Sequence, residues 1–544
     1  MEKKKKESNI KFDLASGLVV FFVALPLCLG ISLASTAHGA EGSVAASMGS
    51  AIPGIIAGVI GGIIVGFSSG SRFGVSGPAA GLITIVSAAI ITFGGFDNGG
   101  FEKFILAVAI AGVIQLIFGF LKGGVIAYYI PFSVIKGMLA GIGITILLKE
   151  IPHFFGYDKD VEGDWGFDQM DGENTFTELW NTVNYTHTGA TIVAIISLLI
   201  LIFWGSKMIK KSKILSLIPG PLLAIIVSIG VSLLFLSGDY AITGTHLVNV
   251  PEPKNVEEFQ DMFFFPDFSA LNDPRVYGIA LVIAIVASIE TLLCVEATDK
   301  MDPYKGRTPM NKELKAQGLG NLLSGLIGGL PITQVIVRST ANISAGAKSK
   351  NSAIIHGVFL VIFIVAIPGV LNLIPRATLA AILLLIGWKL ASPKSIVAMW
   401  KAGFAQFIPF VTVIAVMHVP GGDLLKGVGA GLVVAFIIIL FRHYQFDLKK
   451  YKLAFFKDIN ESNSKEVIHL ELAQHASFLN KVKILRILDE IEDGKEVVID
   501  LSNVAHVDYD IAEAIKDFKI SCEERKINLE IIHAEKLGGA SVGH

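Results

Sequence analysis

The chain has 544 residues, 52% of them hydrophobic and only 17% charged, against about 25% charged residues in soluble domains. Its net charge of −2 excludes nucleic-acid recognition driven by global charge. The three cysteines, Cys28, Cys294 and Cys522, lie too far apart for a metal-ligand spacing or a disulfide framework.

Lys3 to Lys6 precede an apolar run, Leu14–Ala34. Ala37 to Ala40 loosely resembles a cleavage site, but the run exceeds the roughly 7–15-residue core of a signal peptide. Many similar runs follow, so it reads as a first transmembrane helix. A spanning helix needs about 20 mostly apolar residues. In chain order the runs that meet or approach this are Leu14–Ala34, Ile52–Phe67, Phe104–Leu121, Val134–Leu148, Ala190–Trp204 and Leu217–Leu236. A second set comprises Tyr277–Val295, Leu319–Leu330, Ile354–Leu371, Ala377–Leu390, Phe404–Val419 and Leu425–Phe441.

Two more segments are apolar but interrupted. Phe73–Phe93 opens with Gly74-Val75-Ser76-Gly77-Pro78, and Pro331–Ala347 contains Thr333, Gln334, Arg338 and Asn342. With them the chain has fourteen segments in two groups of seven, the interrupted one third in each. That pattern predicts an α-helical polytopic membrane protein built as a 7+7 inverted repeat with broken helices. The expected boundaries are a cytoplasmic tail at residues 1–11, a membrane domain at 12–442 (repeats about 12–238 and 275–442), and a soluble domain at 445–544.

Loop charge supports fourteen crossings. With the Lys-rich N-terminus inside, Asp158–Trp180, which holds eight acidic residues and one lysine, falls outside. Lys207, Lys210, Lys211 and Lys213 fall inside. So do Lys300, Lys305, Arg307, Lys312 and Lys315, then Lys348 and Lys350, and everything after Arg442, as the positive-inside rule asks. From about Gln445, strand-like Glu466–Leu472, Val497–Leu501 and Leu529–Ile532 alternate with helical Leu479–Ile491 and Ile511–Phe518. This predicts a small cytoplasmic α/β domain.

Proline suits the first turn of a helix, so Ser76-Gly77-Pro78-Ala79-Ala80 predicts a helix start at Pro78, inside the membrane. In lipid, non-helical backbone must line a cavity or be covered by protein. A helix N-terminus carries free N–H groups and about half a positive charge, a natural anion site. After Pro331, Thr333 and Gln334 should be extended, with a second half-helix starting near Val337. The two ends, with Arg338 and Ser339, would then converge. Glu290 lies about 12 Å from the cytoplasmic end of its helix, near mid-membrane. A carboxylate there should hold a proton or a cation such as Na⁺; Cys294 and Thr298 share its face. The bland alternatives are a proline kink at Pro78, an Arg338 that snorkels to the surface near Lys348, and a structural Glu290–Arg338 pair. Glu296 and Asp299 are expected to meet water, and His153, His356 and His418 receive no role. Neither a phosphate-binding loop nor a nucleophile–base pair occurs, so neither an enzyme nor a resident cofactor is expected.

Val23-Ala24-Leu25-Pro26, Ser76-Gly77-Pro78, Ile289-Glu290-Thr291-Leu292-Leu293, Glu313–Asn321, Gly328-Gly329-Leu330-Pro331, Arg338-Ser339 and Asn342 together resemble the SulP (sulfate permease) family of anion transporters, over roughly residues 12–442. The resemblance implies core and gate domains, an anion between the third and tenth segments, and elevator-like motion of the core. It also implies H⁺ or Na⁺ coupling at Glu290, and a homodimer. Leu27 stands where many members carry Gln. Val497–Ser502 with Val507-Asp508 resembles a STAS domain, a cytoplasmic site for regulators. There Tyr509-Asp510-Ile511 replaces a frequent Ser-Ser-Gly, and the short run after Ala534 suggests a missing terminal helix.

The expectation is a secondary transporter of sulfate or bicarbonate in a cell membrane with both termini cytoplasmic. An exchanger, a channel-like anion pathway and a carboxylate or nucleobase carrier are alternatives on the same fold. A membrane sensor or scaffold signalling through the tail is the alternative of a different class.

Overall fold

The computed structural model describes residues 2–36, 51–96, 99–159, 167, 173–206, 208–209, 218–234, 240–253, 256–447, 467–472, 475–476, 481–504 and 506–537. Ala37 to Ala40, Lys207, Lys210, Lys211, Lys213, most of Asp158–Trp180 and the last seven residues therefore lie outside the described residues.

The first half folds as α1 (Glu2–Thr36), α2 (Ile52–Ser68), α3 (Ala80–Thr92), α4 (Gly100–Phe120), α5 (Phe132–Phe154), α6 (Thr175–Asn184), α7 (Thr188–Trp204) and α8 (Gly220–Leu234). Lys3 to Lys6 are helical, as Lys and Glu are strong helix formers, and the candidate span within α1 begins at Ile10. The second half gives α9 (Pro274–Met301), α10 (Met310–Leu326), α11 (Ile336–Ser344), α12 (Asn351–Ala366), α13 (Arg376–Leu390), α14 (Phe404–Met417) and α15 (Leu424–Asp447). Among the described residues five helices are long and apolar enough to cross a membrane, or six if α6 and α7, bent by 110°, form one span. Six more apolar helices have 10–17 residues.

Two packed groups emerge. α1–α4 pack with α9–α12, whereas α5, α7 and α8 pack with α13–α15. Large apolar side chains such as Phe120, Leu199, Val361 and Leu440 remain exposed on the outside, an apolar surface suited to lipid rather than water.

Two strands lie inside the first group. β1 (Ser76–Pro78) and β2 (Ile332–Gln334) pair antiparallel, Ser76 opposite Gln334, Gly77 opposite Thr333 and Pro78 opposite Ile332. Their antiparallel sense sends α3 off one end of the ribbon and α11 off the other. The helix expected to start at Pro78 starts later: Ala79 is still extended (φ −115°, ψ 132°) and the first helical turn is Ala80–Leu82. Pairing with β2 holds Pro78 in the strand. The second half-helix starts at Ile336, one residue before the expected Val337.

A polar stripe on α10 anchors this ribbon. Glu313, Gln317 and Asn321 are fully buried and spaced one turn apart. Asn321 Oδ1 accepts the Ile332 N–H at 2.6 Å, while its Nδ2 donates to Ile332 O at 3.0 Å and to Gln115 Oε1 at 2.6 Å. Gln317 Nε2 donates to Ser76 Oγ at 2.8 Å, and Glu313 accepts from Gln317 and from Ser69 Oγ. Two side chains thus supply the partners that an apolar surrounding denies the ribbon.

At the end of the membrane domain away from the tail, Asp158 joins two connections. It accepts from His153 and from His246, each Nδ1 to oxygen distance being 2.6 Å. Burial alone would raise its pKa, but the two histidine hydrogen bonds outweigh that and hold it at about 2.

The tail comprises β3 (Val467–Glu471), α16 (Lys481–Glu490), β4 (Glu496–Asp500), α17 (Tyr509–Arg525) and β5 (Asn528–Ile532). The three strands are parallel in the order β3-β4-β5, over a core that includes Leu485, Val497, Ile499, Ile511 and Ile515. It docks on the start of α5: Asp510 accepts the Phe132 N–H at 2.8 Å, and Lys481 donates to Ile130 O at 2.9 Å.

Two outcomes follow. Asn321→Leu leaves two buried peptide groups unpaired and should destabilise the membrane domain by about 2–4 kcal/mol, read as a lower Tm in detergent. Because folding depresses the Asp158 pKa, its stabilisation is present above about pH 4 and is lost as pH falls towards 2. Asp158→Asn should cost about 2 kcal/mol at neutral pH, and the difference in Tm from the parent should shrink as the pH is lowered through that window.

Candidate functional site

The ribbon sets one helix start at each of its ends, both beside α9. Ala79 and Val335, which precede α3 and α11, give no side-chain cap. The first N–H groups of both helices are thus left to other partners, and each start carries the positive end of a helix dipole.

α9 passes both starts. Glu290 faces the first turn of α3: a Cβ at Gly81 would lie 3.0 Å from Glu290 Oε1. A turn later, Cys294 meets the backbone N–H of Ile336 at the start of α11. A further turn on, Thr298 Oγ1 accepts from Gln334 Nε2 at 2.9 Å, and Thr291 Oγ1 accepts the Gln334 N–H at 3.4 Å. One helix face therefore reads α3, α11 and β2 in succession, as the i, i+4 spacing dictates.

The site is rich in buried polar atoms that have no partner. Glu290 is 5% exposed, and its Oε2 has no hydrogen-bond partner. Arg338 is fully buried, and Nε, Nη1 and Nη2 all lack partners; so do Thr333 Oγ1 and Gln334 Oε1. Such orphans are rare in protein interiors and point to a ligand or ion.

Arg338 does not snorkel. Its guanidinium occupies the space that a side chain at Gly77 would fill, near the Cys28 thiol of α1 and within electrostatic reach of the buried His356 of α12. Among the described residues no ion pair joins Arg338 to Glu290, so the structural pair is absent too. Ser76, Gly77, Pro78, Ala79 and Ala80 lie along β1 and the start of α3; Thr333, Val337, Arg338 and Ser339 along β2 and α11; Glu290 and Cys294 between them. Two expected ligands have their hydroxyls engaged: Ser76 accepts from Gln317, and Ser339 donates to Val335 O at 2.8 Å while accepting the Val75 N–H at 3.1 Å.

Glu296, expected in water, is 4% exposed. The loop after α9 folds back over that helix end, where Asp299 accepts the Thr308 N–H and hydroxyl, both at 2.7 Å. Residues that sequence reasoning left without a role are Gln115, Glu313, Gln317, Asn321, Cys28 and His356. The signal for the α10 set was visible as three polar residues at i, i+4 and i+8. For Cys28 and His356 there was none.

The model of the family described as "Sulfate permease family" matches residues 10–415. The candidate sulfate transporter YvdB of Bacillus subtilis is 30% identical over 79% of this chain and 73% of its own length. The bicarbonate transporter BicA of a Picosynechococcus strain is 26% identical over 80% and 71%. Among solved structures, the transmembrane domain of a cyanobacterial BicA superposes with a TM-score of 0.51 at 23% identity, covering 78% of this chain and 97% of that one. Murine Slc26a9, described as inward-facing, gives 0.54 at 16%, covering 98% and 87%. These likenesses show that the chain has the fold of those transporters. The chain is an integral membrane protein and a member of the sulfate permease family, whose members are transporters and not enzymes.

Proposed function

We propose that the protein is a secondary transporter of a small inorganic anion, sulfate or bicarbonate, driven by H⁺ or Na⁺. The carrying observation is the pair of uncapped helix starts held together by β1 and β2, with an unpartnered Arg338 and an unpartnered Glu290 beside them. Free N–H groups, two dipole ends and a guanidinium suit an oxyanion. The names of the relatives, which include both sulfate and bicarbonate transporters, agree with that substrate class.

Glu290 sits a turn before Cys294 on the same face of α9. A proton or a Na⁺ on its carboxylate would offset the charge that a bound anion brings, which couples the two species thermodynamically. A passive pore has no need of such a group. In this reading the chain crosses the membrane fourteen times as a 7+7 repeat, with both termini cytoplasmic. The group containing the ribbon is the core, which moves as an elevator against the gate built on α5, α7, α8 and α13–α15. The protein works as a homodimer, and the STAS-like tail at 445–544 receives regulators.

Uptake of labelled sulfate and of bicarbonate into proteoliposomes, with and without Na⁺ and pH gradients, tests this. Glu290→Gln is expected to abolish the response to the driving gradient, and a retained response would remove Glu290 from coupling. Arg338→Ala is expected to raise the anion KM about 10- to 100-fold, the weight of a buried charge-assisted hydrogen bond. Binding without flux in the parent protein would instead mark it as a sensor.

A further inference from the structure

A cavity of about 200 Å³ opens on the tail side of the membrane domain, lined among others by Arg72, Phe73, Thr298, Asp302, Arg307 and Thr308. It reaches the site just described. Thr298 holds the Gln334 side chain, so the strand pair begins where the cavity ends. Arg72 and Phe73 stand four and three residues before the first residue of β1.

The carboxylates on its wall are already committed. Asp299 takes two hydrogen bonds from Thr308, and Asp302 accepts the N–H groups of Tyr304 at 2.7 Å and Gly306 at 3.0 Å. These contacts tie the loop that follows α9. The arginines are held differently, by residues of the tail. Glu524 of α17 grips Arg72 bidentately, both contacts at 2.8 Å, with the guanidinium 4.9 Å above the Tyr304 ring. Asp489 of α16 pairs with Arg307 at 3.3 Å.

A guanidinium fork that accepts a carboxylate in two parallel hydrogen bonds accepts a sulfate or bicarbonate in the same way. The tail carboxylates thus stand where a cargo anion would stand. The grip is also releasable. Arg72 and Glu524 are 38% and 42% exposed, and Arg307 and Asp489 are 25% and 36% exposed. Ion pairs at that exposure are weak and salt-screened. The tail keeps its seat by other contacts: Asp517 binds Lys300 at 2.6 Å and Lys305 at 3.4 Å, and Asp510 and Lys481 hold the start of α5. None of these residues lines the cavity.

We propose that Arg72 and Arg307 form a waypoint for the transported oxyanion on the tail side of the membrane domain, and that Glu524 and Asp489 occupy it as a built-in, displaceable competitor. The tail then slows transport by charge, at the mouth of the pathway, while staying docked. This rests on the anion-transport reading above, and two readouts keep the two ideas apart.

The first readout is the initial rate of labelled sulfate uptake into proteoliposomes at sub-saturating sulfate. Glu524→Gln combined with Asp489→Asn should raise it about two- to fivefold, the weight of one or two exposed ion pairs. Adding Arg72→Gln should cancel the gain. Asp517→Asn, which loosens docking without freeing either arginine, should leave the rate near that of the parent. The second readout is the rise in Tm on adding sulfate in detergent, which needs no flux. It should be larger in the double variant than in the parent and should fall back when Arg72→Gln is added. Glu524→Gln alone, at an exposed position, serves if the double variant does not fold.

A parent that transports, with an unchanged rate in the Glu524 and Asp489 variants, overturns the proposal. So does an equal acceleration by Asp517→Asn, which would make the tail a mechanical tether. A parent without flux sinks the transport reading only; the sulfate-dependent Tm then decides the waypoint, and an unchanged response in the double variant rejects it.

Discussion

Three residue pairs between Ser76–Pro78 and Ile332–Gln334 organise the membrane domain. Hydrocarbon supplies no hydrogen bonds, so backbone that leaves the helix must find partners within the protein. Each interrupted segment finds them in the other and in the side chains of α10. Asn321 serves both the N–H and the C=O of Ile332, and Gln317 serves Ser76. Once the strands are paired antiparallel, α3 and α11 have to begin at the two ends of the ribbon, and neither start has a side-chain cap.

Around that ribbon the structure keeps charge that a purely structural protein would remove. Arg338 and Glu290 are both buried and unpaired. An isolated buried charge is costly, and a mutual salt bridge would have been the simplest relief. They stay apart instead, with the guanidinium beside Gly77 and the carboxylate beside Gly81. The glycines are part of the same geometry. Gly77 makes room for the Arg338 guanidinium, and Gly81 lets Glu290 approach the first turn of α3.

The tail is joined to this machinery by contacts of two kinds. Near the start of α5 they are buried, with Lys481 and Asp510 each under 5% exposed. At the cavity mouth they are exposed ion pairs with Arg72 and Arg307. Burial fixes position, whereas exposed charge answers to ionic strength and competing anions. A single small domain thereby combines a firm seat with a labile grip on the tail side of the site.

Much of the architecture was legible in the residues. Continuous apolar runs mark helices in a protein of this composition because only helices satisfy their own backbone in lipid. The period-two and helical stretches after Gln445 marked the α/β tail, and prolines 78 and 331 marked the two breaks. Glu290 and Arg338 stood out because charge is expensive in such runs. What only the tertiary structure decided is where side chains point and what meets across the chain. Pro78 belongs to a strand because Ile332, some 250 residues away by number, lies opposite it, so local propensity put the helix start two residues early. Arg338 turns towards the space over Gly77, a direction set by the neighbouring backbone and not by its place ten residues before Lys348. Glu296 is dry because a loop folds back over the end of its helix. The pairing of tail acids with Arg72 and Arg307 joins residues 452 and 182 positions apart in the sequence, and no local pattern encodes a contact of that range.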